Sequence, residues 1–129
     1  MAHQIAWLIP NHVILTTLNG PIVAAEVQIV ADKMYDIMAA TPTPALIHTL
    51  IDVREATIHD KIWTYSRLNF RRHPNNGWSI VIGDSRLGGL VIAILSKALN
   101  QHIRYCESLN DALKILSERN TAVADYLAQ

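Results

Sequence analysis

The residues able to do chemistry fall mainly in two short segments. Residues 45–60 read ALIHTLIDVREATIHD, an apolar run that ends in Asp52 and then turns polar through Arg54, Glu55, His59 and Asp60. Residues 83–89 read GDSRLGG and place Asp84, Ser85 and Arg86 after a second apolar run. Each segment has the pattern of a strand end opening into a helix start. That edge of an open α/β sheet is where ligands and partners bind. Asp52, Arg54, Asp60, Lys61, Asp84, Ser85 and Arg86 are therefore the candidate ligand- or partner-binding residues. Structural roles are open to them as well: Asp52 as an acceptor for loop N–H groups, Asp60 as a helix-start carboxylate.

GDSRLGG also offers the free N–H groups and the arginine of an anion site. It matches neither GxGxxG nor GxxxxGK-Ser/Thr, it lacks the phosphate-loop lysine, and Asp84 would repel phosphate. Gly88-Gly89 can serve packing alone, by letting an apolar helix approach the sheet. Arg67, Arg71, Arg72 and His73 form a basic cluster close to Trp63 and Tyr65. Such a cluster suits the negative end of a helix, or else an acidic partner or anionic lipid. The six histidines are scattered, without HxH or HExxH spacing. His59 and Asp60, as neighbours, diverge on a helix, so no metal site is assigned. Cys106 is the one cysteine, so no internal disulfide forms. A strand cysteine usually packs as a small hydrophobe. No nucleophile–base arrangement stands out, so no catalytic residue and no cofactor is assigned, and the chain is read as a non-enzyme.

Charge narrows the function classes further. Eleven basic residues balance eleven acidic ones. A nucleic-acid binder carries a basic surplus, because neutralising phosphates supplies much of its affinity. Nucleic acid is therefore not an expected partner. Zero net charge in a chain that is 50% hydrophobic favours self-association, so a homodimer is an expectation. The 129 residues suit one domain spanning 1–129, with 120–129 at its periphery. The longest unbroken apolar stretch, 87–95, is far short of the roughly 20 residues that cross a bilayer. The first residues lack the basic and apolar parts of a signal peptide. The expectation is a cytoplasmic protein without a transmembrane segment.

The elements that must position these residues follow from periodicity and turn chemistry. Residues 3–9 and 12–18 flank Pro10-Asn11 and predict a β-hairpin. Asn19-Gly20-Pro21 predicts a strand stop, with Pro21 opening a helix over 21–40. Val23, Val27, Val30, Met34, Ile37 and Met38 form its apolar stripe. Thr41-Pro42-Thr43-Pro44 reads as an extended connector. Residues 46–53 predict a strand buried on both faces. Thr57 and Asp60 predict a capping box for a helix over 58–72. Residues 78–82 predict a strand, 87–99 a buried helix and 103–106 a strand. Ser108 and Asp111 predict a second capping box, for a helix to about Arg119. The tail 121–128 predicts a helical turn or two. The order ββαβαβαβα implies an α/β fold with a mostly parallel five-stranded sheet, an antiparallel N-terminal hairpin and about four helices.

The chain resembles the STAS domain superfamily, in particular its SpoIIAA-like (STAS/SEC14-like) group. Four features carry the resemblance, over about residues 3–119: Leu18-Asn19-Gly20 after the hairpin; Leu50-Ile51-Asp52 closing the middle strand; Ser79-Ile80-Val81-Ile82-Gly83; and Ser108-Leu109-Asn110-Asp111-Ala112-Leu113. The resemblance implies a (βα) superhelix and a regulatory, protein-interaction role of the kind seen in anti-sigma-factor antagonists and stressosome scaffolds. In the antagonists a phosphorylated Ser or Thr follows an Asp at the start of the second helix. The matching positions here are Asp60 and Lys61. Lysine takes no phosphate in a serine-kinase switch, so the resemblance implies a module without the phospho-switch. Thr57 and Ser85 are nearby hydroxyls off that position. Because the fold is shared with lipid-transfer domains, the resemblance also implies a second reading, a module for a small apolar or anionic ligand such as a lipid or nucleotide.

Overall fold

Alternating apolar residues on either side of a turn make the first two strands pair. β1 (Ala2–Ile9) and β2 (Val13–Ile22) are antiparallel. Asn11, at φ 67° and His12, whose N–H donates to Ile9 O at 3.0 Å, close the turn between them. The protein is described by a computed structural model covering residues 2–41, 46–58, 62–65, 67–71, 73–84, 86 and 103–129. Among these, the strands form one sheet in the order β1-β2-β3-β4-β5, with β3 (Ile47–Ile58), β4 (Asn76–Ile82) and β5 (Ile103–Cys106). β2 to β5 are mutually parallel. The expected mostly parallel sheet with an antiparallel hairpin is therefore what the chain forms.

β2 and β3 run longer than their sequence signals. Asn19-Gly20-Pro21 bends β2 and does not end it. A register shift lies between Thr17 and Asn19, Gly20 takes φ +77°, and pairing with β3 resumes from Asn19–Glu55 to Ile22–Ile58. Positive φ is cheap only for glycine. Pro21 is tolerated because β1 reaches no further along β2 than Asn19, so that stretch of β2 has no ladder on its β1 side. The helix then opens at Ala24, not at Pro21: α1 spans Ala24–Ala40, with Val23 at its N-cap and no side-chain cap.

Of the helix expected over 58–72, only 62–65 is helical among the described residues. Thr57 is an exposed residue of β3, and the described helix there, α2, covers only Ile62–Tyr65. A long-range contact explains why residues 68–71 are not helical. The Gln28 amide of α1 donates to Asn69 O at 2.7 Å and accepts from Asn69 N at 2.8 Å, so this backbone unit is held like a strand residue. The connector at 42–45, Asp60 of the capping box and the helix expected over 87–99 lie outside the described residues.

The last two helices follow their local signals. α3 (Leu109–Ser117) starts where the Ser108 hydroxyl accepts from Asp111 N at 3.1 Å. It ends two residues before the expected Arg119. α4 (Thr121–Leu127) is a full helix capped by the Asn120 side chain, which accepts from Ala122 N and Val123 N. Among the described residues no helix is long and apolar enough to cross a membrane.

The sheet is buried on both faces, as the apolar run at 46–53 requires. On one face Leu18, Ile22, Val30, Ile51, Val53, Tyr65 and Val81 pack together under α1. On the other, Leu50, Ile80, Ile82, Leu113, Leu116 and Val123 pack under α3 and α4. Each fully buried Leu, Ile or Val contributes about 1.5–3 kcal/mol. Tyr65 joins the layers: its hydroxyl, fully buried, donates to Ile22 O at 2.6 Å. Tyr65→Phe should leave that carbonyl without this donor and cost about 1–2 kcal/mol, read as a shift in the urea midpoint at unchanged slope.

Candidate functional site

Strand alternation puts Asp52 and Arg54 on the same face as Leu50. They are close enough to meet, and they do. Arg54 Nε donates to Asp52 Oδ1 at 3.0 Å, Arg54 Nη2 to Oδ2 at 2.8 Å, and the Arg54 backbone N–H to Oδ1 at 3.0 Å. This fork geometry is the strong form of an ion pair. Burial would raise the Asp52 carboxyl, but the Arg54 hydrogen bonds and charge outweigh it and hold Asp52 below its ordinary value. The Asp52 side chain is 14% exposed and that of Arg54 47%. Arg54 is thus a cation fixed at the surface by a mostly covered anion.

Asp52 does not end its strand, as the sequence pattern suggested. It sits where β4 ends: Asp52 pairs with Ile82, and Ile82 with Cys106 of β5. β3 continues six residues beyond, to Ile58, beside β2. The rim of the sheet is therefore stepped, and Arg54 stands on the step. Gly83 leaves β4 with its N–H donating to Cys106 O at 3.1 Å. A Cβ there would lie 2.8 Å from Val53 Cγ2, so glycine permits this close exit. A shallow depression of about 370 Å³ follows, lined by Arg54, Gly83, Asp84 and Glu107. Asp84 Oδ1 accepts from Arg86 N at 3.0 Å, which makes it a turn-forming residue. Arg86 is exposed.

The structure so brings together Asp52, Arg54 and Asp84 from adjacent strands, and adds Glu107, which the sequence pattern did not single out. Glu107 directly follows the last residue of β5, so the ββαβαβαβα order could have found it. Asp60, Lys61 and Ser85 lie outside the described residues. Among the described residues no three His, Cys, Asp or Glu side chains converge as metal ligands.

Cys106 packs in the apolar cluster of its sheet face, as a strand cysteine is expected to. Arg104 lies over the Trp78 ring at 5.2 Å from its centre, and Arg119 lies 4.5 Å from the same centre. Burial pushes the Cys106 thiol up, and its Sγ donates to Ser108 O at 3.3 Å. The basic cluster departs from its reading: among the described residues, the helix before it ends at Tyr65. Arg71 stacks on Tyr35 of α1 at 4.1 Å and His73 meets the same ring edge-on at 5.2 Å. Arg72 and the Trp63 side chain lie outside the described residues.

His48 was not singled out at all, although it is a polar residue inside the apolar run of β3. It is 3% exposed, and its Nδ1 accepts from Trp78 N at 2.9 Å. Burial, and then the charge of His12, lower its pKa from 6.5 to about 4. It lies at the opposite end of β3 from the rim, so this shift marks a structural residue.

A second concavity lies between α1 and the sheet. It is an apolar cavity of about 60 Å³ whose walls include Leu18, Ile22, Met34, Ile51, Ile58 and Phe70. Its two hydroxyls are turned to internal partners: Thr16 donates to Met34 Sδ at 3.1 Å and Tyr65 to Ile22 O.

No family model matches the chain, and no curated protein matches it in sequence. Among solved structures, the chain is similar to the crystal structure of an uncharacterised protein of the DUF3478 family, with a SpoIIAA-like fold, from Shewanella loihica PV-4. The TM-score is 0.61 at 17% identity, over 89% of this chain and 92% of that one. This likeness shows the fold: the chain has the SpoIIAA-like α/β architecture that its sequence resembles.

Proposed function

We propose that this SpoIIAA-like domain is a non-enzymatic regulatory module that holds a protein partner in the cytoplasm at the carboxyl rim of β3, β4 and β5. One observation carries the reading. Arg54 is fixed by Asp52 beside a shallow depression that Asp84 and Glu107 also line. A fixed cation between carboxylates, on an open surface, suits charge-matched docking more than enclosure of a small substrate. The reactive groups nearby support the same reading, since Asp52 is engaged with Arg54 and Cys106 is kept as a thiol. Lys61, at the position where the resembling antagonists carry a phosphorylated hydroxyl, supports a module without that switch.

The combined substitution Arg54→Glu and Arg86→Glu should abolish capture of the partner, at least tenfold in affinity, while circular dichroism stays that of the folded protein. Unchanged pull-down by the double variant would refute this placement of the interface.

A second reading, a small apolar ligand held under α1, is favoured by the apolar walls of the cavity, whose two hydroxyls are already engaged. Size argues against it as a carrier. About 60 Å³ is well short of the ~150 Å³ that takes benzene. A ligand would therefore insert only an apolar end, or α1 would shift outward. Native mass spectrometry of protein purified without added ligand separates the readings. A bound mass lost on denaturation selects the ligand reading, and a clean apo-protein leaves the interaction module.

A further inference from the structure

The free edge of the sheet at β1 lacks the devices that normally keep an edge from pairing. β1 hydrogen-bonds to β2 on one side, and among the described residues nothing pairs its other side. It is eight residues long and contains no proline and no Lys, Arg, Asp or Glu. Its one irregularity lies at the turn end, between Trp7 and Ile9. Native edges are usually short, charged, broken or covered, because a row of open N–H and C=O groups templates another strand.

The helix beside this edge carries matched charges. A groove of about 460 Å³ runs between β1 and α1, lined by His3, Ile5, Lys33, Asp36 and Ile37. β1 and α1 run in the same direction along it. His3 lies at the start, 3.1 Å from Glu26 Oε2 and 3.2 Å from Lys33 Nζ. Trp7 lies further on; with Ile5 and Ile37 it packs against the cluster of Ile14, Met38 and Ile47. Ile5 shares the groove wall with both Lys33 and Asp36. Among the described residues Lys33 meets only a histidine ring nitrogen, and Asp36 makes no ion pair or hydrogen bond. Ile29, one turn before Lys33, is 46% exposed.

We infer that the occupant of this edge is a second copy of the chain, joined β1 to β1 in antiparallel fashion about a two-fold axis near Ile5. Each side of such an interface presents the same patch, so residues pair reciprocally about the axis. An axis through Ile5 sets His3 opposite the partner's Trp7. On the helices it passes between Lys33 and Asp36, so Lys33 faces the partner's Asp36 and Asp36 the partner's Lys33. Both α1 helices then lie on one face of a continuous sheet, with Ile29 and Ile37 covered between them. The order Lys-x-x-Asp about the midpoint is what makes the patch complementary to itself. The balance of eleven basic and eleven acidic residues leaves no net repulsion to oppose the union. Main-chain pairing along an open edge supplies affinity, and the charge pair sets the register.

Sedimentation velocity from about 1 to 100 µM tests this, with Lys33→Glu, Asp36→Lys and the two combined. Both residues are exposed on a helix, and circular dichroism checks that the variants fold. The natural protein should sediment as a dimer, and each single charge reversal should weaken the dimer at least tenfold. The combined exchange restores opposite charges across the axis and should recover dimerisation. It does not restore the Lys33–His3 contact, so recovery reads the pair between subunits. A monomer at 100 µM overturns the inference. So does a dimer indifferent to the single reversals, and so does an exchange that fails to rescue.

Discussion

Gly77→Ala should destabilise the protein by about 2–4 kcal/mol, the range of an overpacked core with a disturbed hydrogen bond. A Cβ at Gly77 would stand 2.5 Å from His48 Nδ1, 2.8 Å from His48 Cε1 and 3.2 Å from Leu46 Cβ. No real Cβ sits at the first two distances. The obstacle is not a flexible side-chain end but a planar ring, 3% exposed. Its Nδ1 also accepts the Trp78 backbone N–H at 2.9 Å. Moving the ring aside removes that acceptor at the start of β4. Urea unfolding measures the loss directly. A double-mutant cycle locates its cause: in a His48→Ala background, Gly77→Ala should cost less than half as much. A Gly77→Ala protein as stable as the natural one would mean that β4 shifts freely and that His48 does not hold it.

Acidification should weaken the fold between about pH 6.5 and pH 4, and His48 should account for about 3 kcal/mol of the loss. Burial keeps the folded ring neutral down to about pH 4, whereas the unfolded chain protonates it near 6.5. Between these values the unfolded state binds more protons, so stability rises with pH there. The contribution is complete above pH 6.5, is lost as pH falls through about 4, and changes no further below. Each unit of difference corresponds to about 1.4 kcal/mol. His48→Asn offers an amide oxygen to the Trp78 N–H without titrating. It should flatten the difference in unfolding free energy between pH 7 and pH 4.5 by most of that amount. If the variant and the natural protein lose stability in parallel over this range, another group carries the effect. Asp52 acts in a lower window. Arg54 holds its carboxyl below the ordinary value, so its stabilisation persists above the usual carboxylate range and disappears only as pH falls beneath it.

The rim illustrates how much of a site one-dimensional pattern can carry. That Asp52, Arg54 and Asp84 lie near one another was legible because alternating βα order makes β3 and β4 neighbours, although β3 does not end at Asp52. What they do at the rim was not legible. Asp52 and Arg54 looked like two independent recognition residues. They are one bidentate pair, because β3 continues past Asp52 and keeps both side chains on one face. Glu107 joined them because β5 delivers it to the same edge.

Signals that act within about four residues held at several places, though not at Thr57, whose capping-box pattern falls inside β3. The hairpin turn at Pro10-Asn11, the Ser108–Asp111 cap and the buried strand at 46–53 all depend on neighbours in the chain, so their chemistry is complete in the sequence. Signals answered from afar did not hold. Gly20-Pro21 reads as a stop, yet β3 was waiting to pair with the residues beyond it. Residues 67–71 read as helix, yet Gln28, forty-one positions from Asn69, took its backbone N–H and C=O. His48 reads as one more polar residue, and only Trp78, Gly77 and His12 closing around it make it a buried neutral base. Local geometry and the sheet's alternation were therefore written in the order of residues. Where strands end, which backbone groups find side-chain partners and which titratable group loses its water were settled by residues distant in sequence, because desolvation and pairing depend on everything that packs around a group.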